Sequence, residues 1–155
     1  MPLDLAQLLC LIEEMPAYRQ LIGALPSPKE GTKVVVLDAA KPYLIAALYQ
    51  HWRLPMLVVT AQPGNSKRLY EQLLIWSGSQ VKLFPEPDAL PYERITSDAS
   101  TELERVQVLS VLASCEQNGL STEVPLVVTS ASALMGKTTL YRDFASTCHT
   151  IKLGM

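Results

Sequence analysis

The sequence predicts an α/β fold: a three-layer, mostly parallel sheet of about four strands with helices on both faces. Two features lead to this reading. Four short segments, Val34–Leu37, Met56–Val59, Gln80–Phe84 and Val124–Thr129, read as strands, and the first two are continuous apolar runs, as strands buried on both faces of a parallel sheet should be. Between them lie segments with apolar residues near the 3.6-residue period of a helix, and strands alternating with helices give βαβ units.

The elements follow in order. Residues 3–24 read as a helix, with Leu5, Leu8, Leu9, Ile12, Met15, Tyr18, Leu21 and Ile22 close to helical spacing; Asp4 is placed to cap it and Pro16 to kink or split it. The stretch Pro26–Thr32 is a loop by composition. The first strand, Val34–Leu37, is followed by a helix over 40–53 with Leu44, Ile45, Ala47, Leu48 and Trp52 on one side. The second strand, Met56–Val59, is entered through Pro55. A helix over 64–76 places Leu69, Leu73 and Trp76 at helical spacing, and the third strand is Gln80–Phe84. Pro85, Pro87 and Pro91 then fix an extended connection. The long helix 98–117 starts at a Ser97 or Asp98 cap, with Leu103, Val106, Leu109, Val111 and Leu112 as its apolar face. Glu102 and Glu104, with Arg105 between them, read as its solvated face. The fourth strand is Val124–Thr129, and a short helical stretch runs from about Thr138 to Ala145. Thr150–Met155 has the pattern of a strand beginning, so the expected division is one domain over 1–149 and the start of another at 150–155.

Composition narrows the function. The chain has 155 residues, 13 Lys+Arg against 15 Asp+Glu, a net charge of −2, 48% hydrophobic and 18% charged residues. One soluble domain with a substantial core is expected. A net charge of −2 argues against a bulk electrostatic footprint for nucleic acid or anionic membrane. Cys10, Cys115 and Cys148 are too scattered for a disulfide framework or a zinc pair, and reduced thiols in the cytoplasm are expected. Neither a signal peptide nor a membrane-spanning run is present in the sequence.

Two places invite a phosphate-binding reading. The first strand-to-helix turn carries Asp38, Ala39, Ala40, Lys41 and Pro42. A phosphate loop needs glycines so that backbone N–H groups can wrap the ligand, a Lys, and a Ser or Thr for magnesium. There is no glycine between Gly31 and Gly64, Asp38 puts a carboxylate there, and Pro42 stands where a hydroxyl is needed; no cofactor is expected at this turn. The second place, Ala131 to Thr138, fits a relaxed phosphate-loop pattern ending in Gly136-Lys137-Thr138. Bulky Leu134 and Met135 stand in the arc that must approach phosphate, so the expected structure is a short helix from Ser130, packing Leu134 and Met135 inward and ended by Gly136. His51 and His149 have no nearby Cys or acid in a catalytic arrangement, and no nucleophile motif is present. No catalytic residue and no metal ligand is expected. Lys67 and Arg68 are a small basic pair that could meet a phosphate backbone. The segment Leu83 to Arg94 reads either as a rigid connector that packs Leu90 and Tyr92 on the sheet edge, or as a partner or DNA contact surface using Leu90, Pro91, Tyr92, Glu93 and Arg94.

The order "VVVLDAAKPYLIAAL", "PMLVVTA", "SKRLYEQLL", "VKLFPEPDALPYERITSDASTELERVQVLSVL", "PLVVTSASALMG" resembles the N-terminal domain of the bacterial transcription-repair coupling factors (Mfd), which is similar in turn to the first domain of the excision-repair protein UvrB. Leu83 to Leu112 is the most specific part, and Ser97–Ser100 ("SDAS") is also similar to UvrB. UvrB carries a DNA-gripping aromatic hairpin between the equivalents of Phe84 and Ile95; only ten residues lie between them in this chain, so the hairpin is absent, as in Mfd. The resemblance implies a degenerate phosphate loop and a non-catalytic UvrB-like module. Its partners would be other domains of a longer protein, with UvrA, RNA polymerase and DNA engaged by the whole, and its role would be to support UvrA recruitment and autoregulation. The alternatives are a small nucleotide-binding protein using Gly136, Lys137 and Thr138, or a DNA-binding lobe of a helicase-like protein using Lys67, Arg68 and Arg94.

Overall fold

The computed structural model describes residues 5–25, 31–87, 99–118 and 124–147. The N-terminal segment is not one helix. Ala6–Glu14 winds as a 3₁₀ helix and Pro16–Ala24 as an α-helix (α1), parted at Met15, which is extended. Pro16 has no N–H to continue the preceding helix but suits the first position of the next.

The helix α2 (Lys41–Trp52) follows a 3₁₀ turn at Asp38–Ala40, and leads to the strand β1 (Met56–Thr60). Helix α3 (Pro63–Ser77) leads through a 3₁₀ turn at Gly78–Gln80 to β2 (Val81–Phe84). The 20-residue α4 (Ala99–Asn118) precedes β3 (Leu126–Ser130), which runs directly into α5 (Ala131–Met135); α6 (Tyr141–Thr147) comes last. Residues 97–98, 148–155 and Leu90–Arg94 lie outside the described residues, as does the expected domain border at 149/150.

Among the described residues the sheet has three strands in the order β1-β3-β2, all parallel. Met56 pairs with Leu126 through Thr60 with Ser130 on one side, and Val81 with Leu126 through Phe84 with Thr129 on the other. Side chains alternate across a strand, so Val58, Val128 and Val81 share one face and Val59, Val127 and Phe84 the other. Helices α2 and α3 cover the first face, with Ala46, Ala47 and Leu73 packed against Leu126 and Val128. Helix α4 covers part of the second through Val108, against Phe84, Val127 and Ala133. The three-layer α/β architecture is therefore as the sequence predicts.

Three expectations are corrected. Val34–Leu37 is not a strand: residues 31–37 have no ladder partner, and Val35 and Leu37 are 89% and 82% exposed. Strand propensity describes a fit to a half-buried pleated surface, and in this fold β1 and β2 take the two sides of β3. Among the described residues the sheet thus has three strands, not four. The buried face of α4 is rotated from the expected one: it carries Arg105, Val108 and Ala113, whereas Leu103, Val106 and Leu112 are exposed. Last, the C-terminal helix begins at Tyr141 rather than near Thr138.

The N-terminal segment is held by polar contacts as well as by burial of Leu9, Ile12 and Tyr18. The Leu5 N–H donates to the Ile75 carbonyl (3.2 Å), and the Tyr43 hydroxyl to the Leu8 carbonyl (3.0 Å) while its ring lies 5.0 Å from that of Trp76. Tyr49 ties α2 to the entry of β3 by donating to the Val124 carbonyl. Burial raises the Tyr18 phenol above its usual range, with Glu13 and Tyr43 adding to the effect.

Among the described residues, two backbone positions use the left-handed region. Gly78, at φ 60 and ψ −140, lets the chain turn from α3 toward β2. Arg53, at φ 48, ends α2 in a conformation that costs a residue with a Cβ. Gly78→Ala should therefore destabilise the fold by about 1–3 kcal/mol, whereas Arg53→Gly should stabilise it by up to about 1 kcal/mol. Truncating fully buried Leu73 to Ala should cost about 2–5 kcal/mol. Urea unfolding monitored by circular dichroism checks all three.

Candidate functional site

Parallel βα units carry their ligand sites beyond the strand C-termini. In this chain that end of the sheet gathers the Asp38–Ala40 turn, the first turns of α2 and α3, and the ends of β1 and β3. Pro42 and Pro63 stand in the first turns of α2 and α3, where a missing N–H is harmless. Thr60, closing β1, donates its hydroxyl to the Gln62 carbonyl (2.9 Å), which bends the chain into α3. Ser66, buried on α3, donates to the Pro63 carbonyl (2.7 Å).

The Asp38–Lys41 turn is a short 3₁₀ segment running straight into α2. It does not curve around an empty cradle as a phosphate loop does. Lys41 Nζ lies 2.5 Å from the Asp38 carboxylate, and both side chains are largely exposed. The hydrogen bond and charge of Lys41 hold the Asp38 carboxyl below the usual aspartate value of 3.8, with Arg68 contributing in the same direction. Arg68 comes from α3 and lines the same crevice of about 550 Å³, so the structure brings together Asp38, Lys41 and Arg68, which the sequence presents as separate features. Lys67, Arg68's neighbour, is exposed.

The Gly136-Lys137-Thr138 stretch has the reverse of phosphate-loop order. The helix α5 precedes Gly136, and Lys137–Leu140 has no regular structure. In a phosphate loop the helix opens at the Lys and Thr. Ser130 caps α5 by accepting from the Ala133 N–H (3.2 Å). The short helix is as expected, but its inward residue is Ala133; Leu134 is exposed and Met135 is 87% exposed. Five residues make little more than one turn, and that turn presents Ala133 alone to Phe84 and Val127.

Arg105 is the residue that sequence reasoning misplaced. It is only 7% exposed, not part of a solvated face. Its guanidinium lies 4.2 Å from the centroid of the Phe84 ring and donates to the Pro85 carbonyl (2.6 Å). Arg105 thus fastens α4 to the start of the proline-rich connection through a cation–π contact and a charge-assisted hydrogen bond. Burial pushes its pKa below the usual guanidinium range, partly offset by Glu102. A guanidinium remains charged at neutral pH in any case. Leu83-Phe84-Pro85 beside a helix with a midface Arg was the one available signal.

His51 has a Cys and an acid in the same crevice, which the sequence does not show. The N-terminal segment folds back on α2, so Cys10, Glu13 and His51 line one crevice of about 390 Å³. No triad results among the described residues: the Cys10 thiol donates to the Gln7 carbonyl (3.1 Å), and the His51 ring meets the edge of Trp52. No group of three or more metal-ligating side chains occurs among the described residues, and no helix there is long and apolar enough to cross a membrane.

These features define a three-layer α/β module whose strand C-terminal edge presents charged side chains rather than a glycine cradle. No protein-family model matches the chain. The chain is 28% identical over 131 residues to the transcription-repair-coupling factors of Mycobacterium bovis and Mycobacterium tuberculosis, a match that covers 84% of this chain and 10% of each relative. It spans about a tenth of the length of the curated relatives it matches, and is distantly related to a region of those proteins.

Arg105→Ala should destabilise the protein by about 1.5–3 kcal/mol, the range for a hydrogen bond to a charged group, in urea unfolding. The sign at Asp38 follows from its depressed pKa: its stabilising contribution is present above pH 3.8 and is lost as pH falls through the folded-state value. Carboxyl NMR should give Asp38 a midpoint below 3.8 that rises in Lys41→Met and rises less in Arg68→Gln.

Proposed function

We propose that the chain is a non-catalytic, UvrB-like module of a transcription-repair coupling factor, acting in transcription-coupled nucleotide excision repair. Its role is to support UvrA recruitment and autoregulation, while RNA polymerase, DNA and ATP are handled by other parts of the longer protein. The observation that carries this reading is the distant match to two transcription-repair-coupling factors over 84% of the chain. The three-layer fold agrees with it, and so does the turn at Asp38–Lys41, where a carboxylate occupies the Lys that a triphosphate would need.

The nucleotide-binding alternative receives no support from the order of elements around Gly136, since α5 ends before Lys137. A DNA-binding lobe would need more than the exposed Lys67 and Arg68 on a chain of net charge −2.

Thermal melts with ATP and magnesium separate these readings. A site that binds ATP gains about 2.7 kcal/mol when ligand is at a hundredfold over its dissociation constant. The expected shift for the wild type is nil, and Lys137→Ala should melt identically with and without ATP. A saturable ATP-dependent rise lost in Lys137→Ala would overturn the proposal. In the mycobacterial relative, replacing the matching region by this chain should preserve UvrA capture and the basal rate of ATP hydrolysis, whereas deleting the region should change at least one of them.

A further inference from the structure

The crevice between α2, α3 and the end of β1 has a volume of about 550 Å³, within the range of ligand pockets. Its wall is mixed, with apolar Ile45, Val58 and Leu69 beside polar Thr60, Asn65 and Gln72, and its rim is charged, formed by Lys41, Arg68 and Asp38. The rim therefore carries two cations against one carboxylate. Lys41 is engaged by Asp38, whereas Arg68 makes no hydrogen bond or ion pair with a described residue. The Lys41–Asp38 pair is exposed, and exposed pairs contribute little, so a second carboxylate can share or exchange with Asp38 at small cost.

We propose that this crevice is a docking pocket for an acidic side chain presented by a protein partner on an apolar-flanked segment, with Arg68 as its anchor. One added carboxylate brings the rim to two cations and two anions, and the flanking apolar side chains cover Ile45, Val58 and Leu69. A polyphosphate or a DNA strand fits less well. Both bring several negative charges against Asp38, and there is no glycine between Gly31 and Gly64 to let the backbone wrap a phosphate. Arg68 suits a carboxylate because its planar fork can donate two parallel hydrogen bonds. The Asp38 carboxyl, held below its usual range by Lys41 and then Arg68, is the internal example of the group this corner favours.

The test uses fluorescence anisotropy with a labelled heptapeptide, Gly-Leu-Asp-Glu-Leu-Asp-Gly, and its amide counterpart, Gly-Leu-Asn-Gln-Leu-Asn-Gly, on the full chain. The acidic peptide should bind about tenfold more tightly than the amide one, and added salt should weaken it. Arg68→Gln, checked for native circular dichroism, should remove that preference. Asp38→Asn should strengthen acidic-peptide binding by about two- to fivefold, because it removes the competing carboxylate. This gain is a change that a damaged fold cannot produce. Equal or absent binding of both peptides, a preference that survives Arg68→Gln, or saturable binding of ATP at the same site in place of the peptide would overturn the proposal.

Discussion

The structure depends on the burial of one strand. Each residue of β3, Leu126 to Ser130, is buried, and the strand is paired on both sides. Its two faces link the helical layers: Leu126 and Val128 meet the core under α2 and α3, and Val127 meets the cluster under α4. Its polar side chains are also committed. Thr129 donates its hydroxyl to the Phe84 carbonyl (3.0 Å), and Ser130 caps α5. A buried hydroxyl without a partner costs free energy, so these two bonds set the register at which β2 ends and α5 begins.

From that strand the candidate site follows. Because β1 and β2 are parallel to β3, their C-termini open on one edge, and the turns into α3 and α5 are placed there. The 3₁₀ turn at Asp38–Ala40 delivers Lys41 to the same edge, next to Arg68 from α3. What the edge presents is a set of exposed charges above a wall of mixed apolar and polar side chains, which suits recognition of a side chain better than the wrapping of a triphosphate. Arg105 serves the opposite face, where its ring contact and its hydrogen bond to the Pro85 carbonyl hold α4 in place.

Much of this was legible in the amino-acid order. Short apolar-rich segments marked β1, β2 and β3, and helical spacing marked α2 and α3 within a residue or so at each end. Failures came where tertiary pairing overrides local preference. Val34–Leu37 has the composition of a buried strand, but no described strand of the sheet pairs with it, and Val34, Val35 and Leu37 stay exposed. On α4 the apolar residues run nearly all the way round the helix, so periodicity could not choose the buried face; the fit of Val108 and Arg105 around Phe84 does. The separate motifs of the site were visible, yet the closeness of Asp38, Lys41 and Arg68, or of Cys10, Glu13 and His51, arises only when α2 packs beside α3 and the N-terminal segment folds back.

The dependence on β3 is measured most directly by native-state amide hydrogen exchange. Amides of Val127, Val128 and Thr129 should exchange only through global unfolding, with an opening free energy equal to that from urea denaturation and greater than for residues 31–37. If those amides opened more easily than the exposed helix α6, or at a fraction of the global free energy, β3 would not be the element that holds the two layers together.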